Sequence, residues 1–444
     1  MRIVIAGAGE VGSHLARLLS TEEQDITLVD ANSERLATLD ANYNLMTVVG
    51  DPTSFEALRE AGVADCDIFI AVMPYEANNI VACAIAKNLG ATTTVSRIDS
   101  YDFMAEENID LVRRMGVDRL IYPEYLAAKD IIRALRHTWA RNIFELHDGR
   151  IILAGIKVRQ GAPVVGMKLR DFGFANRNFN VVAIKRNHET IIPRGDDTMD
   201  QGDILYFTTT REHIDDLLRL TGKVQRTVKK VLITGGTNMA VRLVNMGEDE
   251  FKFKIIERDI EVCRRLPALC PGCEIIHGDA RDTELLEELG CGDMDAFVAL
   301  SDSSETNILT CLTAKEMGVK KTVANVENIQ FISQAEGLNI GTVVNKKLIA
   351  SSTIFQLMLD ADCSTSKFLA LADAEVAELE ARPGSRIVRA AVKDLHLPRE
   401  LNLGALIRGD EGMLITGNTT IQPGDHVLIF CLAGSLHKVE KLFN

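Results

Sequence analysis

The chain has 444 residues with 46% hydrophobic and 25% charged side chains, a composition ordinary for a globular protein and without signature of disorder or low complexity. At roughly 100 to 200 residues per domain the length predicts two to four domains. A net charge of −14 opposes nucleic acid and anionic lipid as general partners. No apolar run approaches the roughly 18 residues of a membrane helix and the first residues carry no signal-peptide pattern, so the expected location is cytoplasmic, with membrane contact only through another protein.

The first predicted strand, RIVIAG, runs into Gly7-Ala8-Gly9-Glu10-Val11-Gly12 and then the helical VGSHLARLLS. A GxGxxG string in that context predicts a dinucleotide loop. Gly7 permits the tight turn, Gly9 lets a pyrophosphate approach the backbone, and Gly12 lets helix pack on strand. Exposed amides at the helix start attract phosphate oxygens. The second strand, DITLVD, closes on Asp30, 18 residues after Gly12, where a carboxylate accepts hydrogen bonds from ribose hydroxyls. That favours NAD+ or NADH over the 2′-phosphorylated forms, which would meet a like charge. ATP and ADP offer the same ribose and stay open.

Strand LMTVVG leads to Asp51, which either approaches the adenine end or belongs to the helix start Asp51-Pro52-Thr53-Ser54. Strand DIFIAV, helical NNIVACAIAKNLG and strand TTTVSRI follow. Arg97 ends the last of these, at the sheet edge where ligands bind, placed for a phosphate or an acidic neighbour. Alternating strands and helices predict βαβ units around a buried parallel sheet.

A different pattern succeeds it: NVVAIKRNHETIIPRGDDTMDQGDILYF reads as three strands with turns, then helical EHIDDLLRL. The polar, basic KVQRTVKK reads as a solvated connector. Beyond it the plan recurs. Adding 228 takes Gly7 to Gly235, Gly50-Asp51 to Gly278-Asp279, Asn79-Ile80 to Asn307-Ile308, Cys83 to Cys311 and Ala86-Lys87 to Ala314-Lys315. The tails match at an offset of 222, which takes Arg186 to Arg408 and Gly202-Asp203 to Gly424-Asp425. Such a period decides the architecture: α/β, with two doubly wound Rossmann-like parallel-sheet domains, each followed by a small α/β domain, at 1–139, 140–224, 225–362 and 363–444.

The second loop is Gly235-Gly236-Thr237-Asn238-Met239-Ala240. A Cβ at Thr237 obstructs pyrophosphate, so binding here is expected to be weaker or altered, or the copy is kept for packing. Glu257 still ends the second strand and Asp279 repeats Asp51.

Nine cysteines in an intracellular chain read as reduced thiols; Cys263, Cys270, Cys273 and His277 leave zinc as an alternative, though their spacing fits no standard finger. His188 and His213 read as surface histidines without catalytic partners. With no metal-binding HExxH string and no proton donor in a separate substrate domain, an NAD-dependent oxidoreductase is the lesser reading, as is a duplicated scaffold with vestigial sites.

The ordered set GAGEVG, LVD, VVGD, AVMPYEANNIVACAIAKNLGA and VSRI, followed by a small domain and then the whole plan again, resembles the TrkA family. These are NAD-binding peripheral subunits of Trk potassium-uptake systems, built of tandem RCK domains. The resemblance covers essentially the whole chain. It implies small domains of the RCK C-terminal type and a regulator, not an enzyme, that sits peripherally on the inner face of the cell membrane. It also implies a homo-oligomer docked on a Trk-type potassium-translocating subunit. Ligand contacts carried over from the family fall on Gly7 to Gly12, Asp30, Met73-Pro74 and Arg97, and in the second copy on the 235–240 loop, Glu257, Ser301-Asp302 and Asn325. Met73-Pro74 replaces the small polar pair usual there, and Asn325 lacks the charge of Arg97.

Overall fold

In the computed structural model, residues 1–20, 24–146, 149–187, 189–338, 340–362, 369–371, 374–432 and 435–444 are described. His188 and the expected boundary at residue 363 lie outside them. Two units organise the chain: Met1–Ala127 with Lys346–Ser364, and Ala128–Asn345 with Thr365–Asn444.

In the first unit the apolar runs become β1 (Arg2–Ala6), β2 (Asp25–Asp30), β3 (Met46–Val49), β4 (Ile68–Ala71), β5 (Thr93–Arg97) and β6 (Arg119–Ile121), in spatial order β3-β2-β1-β4-β5-β6. All neighbours are parallel. All four residues of β4 are buried, as expected of a strand with helices on both faces. The order reverses between β1 and β4, and the crevice at the carboxyl ends there is where doubly wound sheets bind ligands. Ile3, Ile5 and Leu28 pack under Leu15 on one face; Val4, Ala6 and Phe69 meet Ala82 and Cys83 on the other.

The second unit contains both small sheets and the other parallel sheet. β7 (Asn142–Leu146), β8 (Ile151–Lys157), β9 (Asn180–Arg186), β10 (Glu189–Ile191) and β11 (Ile204–Thr209) form an antiparallel sheet of order β10-β9-β11-β8-β7. β12 (Lys230–Thr234), β13 (Lys252–Glu257), β14 (Glu274–His277), β15 (Ala296–Ala299), β16 (Lys321–Asn325) and β17 (Thr342–Val344) repeat the first topology as β14-β13-β12-β15-β16-β17. β18 (Leu369–Leu371), β19 (Ala374–Glu380), β20 (Leu401–Arg408), β21 (Glu411–Leu414) and β22 (His426–Leu432) make the last sheet, β18-β19-β22-β20-β21. The two small sheets share a core of Val182, Tyr206, Val376, Ala405 and Phe430.

The matched Arg and Asp of the tails have a structural role. Arg186 grips Asp203 with Nε at 2.9 Å and Nη2 at 2.7 Å, and Arg408 grips Asp425 at 2.8 and 2.7 Å. In both, the carboxylate side chain is 2% exposed, so a bidentate partner is what makes its burial tolerable.

Each parallel sheet borrows a helix from the other copy. The helix of Lys346–Asp362 follows β17 in sequence, yet its Ala350 and Ile354 complete the core around Ile5, Val11 and Leu15 in the first unit. Conversely, Ile132 of the helix Pro123–Arg136 lies so near Gly247 that a Cβ there would sit 2.8 Å from Ile132 Cδ1. Arg136 Nε bonds Glu250 at 3.0 Å alongside.

Candidate functional site

The first loop is built around what its glycines omit. Gly7 has φ +110°, beyond the ordinary reach of a side-chain-bearing residue. Its N–H donates to Val29 O at 2.8 Å, tying the loop to β2. A Cβ on Gly12 would lie 1.9 Å from Gly7 O, so the helix Glu10–Ser20 can start this close to the strand only with glycine. At Gly9 a Cβ would meet nothing within 4 Å, which leaves that backbone edge open to an incoming diphosphate. Ala8 and Val11 are buried, while Glu10 is exposed and pairs with Lys347.

Asp30 is positioned by the loop it serves. Ala8 N–H donates to its Oδ2 at 2.6 Å and Asn32 N–H to its Oδ1 at 2.8 Å. Each oxygen retains a lone pair for a ribose hydroxyl. The carboxylate is half-buried at the end of β2.

Across the switch point a buried asparagine clasps two strand ends. Asn79, 1% exposed, accepts from Met73 N–H at 2.8 Å and donates to Met73 O and Arg97 O, each at 3.0 Å. Met73 is therefore buried with its N–H engaged, and Pro74 is exposed. Arg97 Nη2 meets Asp99 Oδ1 at 2.8 Å, while among the described residues its buried Nε has no hydrogen-bond partner. An orphaned guanidinium donor at the crevice fits an anionic ligand group. Glu76, at the start of the helix Glu76–Leu89, accepts from Asp99 N–H and Ser100 N–H, both at 2.8 Å. Asn79 stood in the repeat register, but its role as the clasp did not show in the sequence.

The second copy reproduces the scaffold with different groups. Gly235, φ +93°, donates to Ile256 O at 2.9 Å. Gly236 N–H donates to Glu257 Oε2 at 2.6 Å, and Asp259 N–H to Oε1 at 2.7 Å. At Gly236, which stands where the first copy has Ala8, a Cβ would lie 2.7 Å from Leu266 Cδ1. Thr237 caps the helix Asn238–Gly247, its Oγ1 accepting from Ala240 N–H at 3.4 Å, which uses an amide otherwise available to phosphate. Asn238 is exposed and Met239 buried. Asn307 repeats Asn79: it binds Ser301 N–H at 2.9 Å, Ser301 O at 2.7 Å and Asn325 O at 2.8 Å. The Ser301 hydroxyl is also turned onto Asn307, at 2.7 Å, and Asp302 is exposed. Asn325 Nδ2 reaches Glu327 Oε1 at 3.1 Å, and Ser304 Oγ receives the amides of Glu327 and Asn328 at 3.0 and 3.2 Å.

Asp51 shapes a turn. Its Oδ1 accepts from Thr53 N–H at 2.8 Å and Thr53 Oγ1 at 2.7 Å, bonds that lower its pKa, and Ser54 is the residue that caps the next helix. Asp279 is instead gripped by Arg281, which holds it down at about 2. Among the described residues no group of three or more His, Cys, Asp or Glu is placed to hold a metal. Cys263 and Cys270 are buried, and His277 Nε2 lies 3.0 Å from Arg258 O. His213 is half-buried, with Nδ1 3.3 Å from Asn178 Nδ2.

Comparison with known proteins gives a consistent placement. The TrkA-N domain family matches residues 3–123 and 231–346, and the TrkA-C domain family matches 153–222 and 376–444. The Trk system potassium uptake protein TrkA of Haemophilus influenzae is 32% identical over 451 residues, spanning 100% of this chain and 98% of its own. That of Halomonas elongata is 31% identical over 453 residues with the same coverage. Among solved structures, the GsuK RCK domain superposes with a TM-score of 0.61 at 15% identity, over 100% of this chain and 94% of that one. The GsuK channel bound to NAD gives 0.60 at 16%, over 100% and 78%. At such identity these structures establish the fold.

Proposed function

Because the chain belongs to the TrkA family, matched in both halves by TrkA-N and TrkA-C domains, we propose that it is the nucleotide-sensing regulatory subunit of a potassium-uptake system. In this reading it docks on the cytoplasmic side of a separate potassium-translocating membrane subunit, works as a homo-oligomer and is not an enzyme. Its domains divide at 1–139, 140–224, 225–362 and 363–444. Support comes from relatives named as Trk potassium uptake proteins and from a neighbour solved as a channel bound to NAD. Among the described residues no helix is long and apolar enough to cross a membrane.

The observation that carries the reading is the first loop, where Gly9 leaves the backbone open and Asp30 is fixed by two amides. Gly9 and the helix-start amides receive the diphosphate of NAD+, NADH, ATP or ADP, Asp30 accepts from the ribose, and Arg97 offers Nε to an anionic group. The bound nucleotide supplies a free-energy difference between two arrangements of the assembly. About 1–3 kcal/mol suffices, provided the ligand binds the two with different affinity. Calorimetric titration of the full chain with each nucleotide tests this. Asp30→Ala should weaken binding about tenfold, near 1.4 kcal/mol, while Glu257→Ala leaves the tighter site intact. If none of the four nucleotides binds the wild type, the reading fails.

A further inference from the structure

The segment Cys270-Pro271-Gly272-Cys273 joins the helix Ile260–Leu269 to β14. Cys270 N–H donates to Leu266 O at 2.8 Å and closes the last turn of the helix, and Cys273 N–H donates to Cys270 O at 3.2 Å. Pro271 takes the second position of the turn so formed, where its fixed φ is at home. Gly272, with φ +85°, takes the third, where a side chain would be strained. The two cysteines are thereby held at the first and fourth positions of a β-turn.

That geometry puts the pair within bridging reach. The first and fourth Cα atoms of a β-turn lie less than about 7 Å apart, and disulfide-linked cysteines have theirs about 4.4–6.8 Å apart. Cys263 stands a further two turns back, about 10 Å along the helix from Cys270, which is out of range; its Sγ donates to Glu257 O at 3.4 Å. Cys270 is 0% exposed, whereas Cys273 is half-buried with its Sγ 3.5 Å from Phe253 O. A reagent in solution meets Cys273 first, with Cys270 behind it.

Burial, the neighbouring Cys270 and Glu274 push the Cys273 thiol up to about 12, and burial raises that of Cys270. Both thiols are held protonated and exchange slowly. Closing the pair gives up no stabilised thiolate and buries no charge, which favours the bridge once it has formed. The first copy shows that the fold does not need this chemistry: at the 228 offset these positions hold Asn42-Tyr43-Asn44-Leu45, with neither the thiols nor the Pro-Gly pair. The helix that the segment ends also backs the second Gly loop, where a Cβ on Gly236 would lie 2.7 Å from Leu266 Cδ1 and 3.0 Å from Val262 Cγ1.

We propose that Cys270 and Cys273 are a redox-modifiable pair, closed to a disulfide by exchange with a low-molecular-weight disulfide, which clips the end of this helix to the start of β14. The Cys273 sulfur, having lost its proton, attacks one sulfur of the reagent RSSR and releases RS−, which takes up a proton as RSH. The Cys270 sulfur, deprotonated in turn, attacks the Cys273 sulfur and releases the second RSH. Two electrons pass from the chain to the reagent, so that two thiols and RSSR become one internal disulfide and two RSH.

The test incubates the full chain with excess glutathione disulfide in mildly alkaline buffer, alkylates the remaining thiols under denaturing conditions and maps the tryptic peptides by mass. Cleavage after Arg265 and Arg281 leaves both cysteines in one peptide, 266–281. That peptide should emerge unalkylated and lighter by two hydrogens, and should reopen with dithiothreitol, while Cys83, Cys291 and Cys311, each 0% exposed, remain free to alkylate. Cys270→Ser should stop at a mixed disulfide on Cys273. At Gly272 a Cβ would meet nothing within 4 Å, so Gly272→Ala acts on the backbone of the turn alone and should close several-fold more slowly. A wild-type peptide that keeps two alkylated cysteines, or that accumulates glutathione on Cys273 without closing, overturns the proposal, as does a Gly272→Ala chain that closes as fast as the wild type.

Discussion

The two parallel-sheet copies keep one framework of backbone clasps and exchange the charges hung on it. In each, the acid ending the second strand holds a loop amide, through Asp30 at 2.6 Å and Glu257 at 2.6 Å, and a buried asparagine joins the fourth and fifth strand ends. Where the first has Glu76, Arg97 and Asp99, the second has Ser304, Asn325 and Glu327, and Glu76 and Ser304 receive amides at the same register. Each trio carries one net negative charge. Losing the arginine was matched by losing a glutamate, so Asn325 is one half of a compensated exchange. A contact judged alone looks degraded, while the network it belongs to is intact.

The largest way to break this comparison is Gly12→Ala. Its Cβ would collide with Gly7 O, and overpacking of this kind costs about 1–3 kcal/mol. Urea unfolding should show that loss together with lost NAD+ binding, whereas Ala240→Gly in the second copy should cost no more than about 1 kcal/mol. Equal tolerance at both positions would mean the loops are not differently packed. Next, Asn79→Ala and Asn307→Ala each orphan strand-end backbone groups and should cost about 1–3 kcal/mol alike. A strongly unequal pair would contradict the shared framework.

A smaller effect sharpens the contrast in charge. Lys321 is held at about 7 by burial, Arg141 and Lys315, against 10.5 for an ordinary lysine. Between those values the unfolded chain binds the proton and the folded chain does not, so stability should rise with pH from 7 to 9. Lys321→Gln should flatten that slope in thermal melts, and a slope that persists would place its origin elsewhere. Smallest is the cycle of Arg97→Asn with Glu76→Ser. The double variant should be more stable than the sum of the singles by about 0.5 kcal/mol or more, and strict additivity would remove the case for compensation.

Much of the framework was legible because its signals are local. A glycine string between a buried strand and a helix, and an acid at the next strand's end, fall within one βαβ unit. Asp51-Pro52-Thr53-Ser54 was legible as a helix start, and Ser54 is its cap. The three-residue strands β6 and β17 are too short to carry a period, and IILAGIK, buried at six of seven positions, lacks the alternation that marks a half-exposed strand. Asn79 hid its function because its partners are backbone groups at two strand ends.

The borrowed helices set a condition on cutting the chain. Severed near residue 225, the amino-terminal half would lose the packing of Ile132 beside Gly247 and the Ala350 and Ile354 that close its own core. The other half would suffer the reciprocal defect. Each fragment is thus a lock made for the key its sibling carries: purified apart they should be sticky, and co-expressed they should find each other without a peptide link. The tandem chain is in this sense a dimer fused into one polypeptide, freeing its halves to diverge in charge while neither can be discarded.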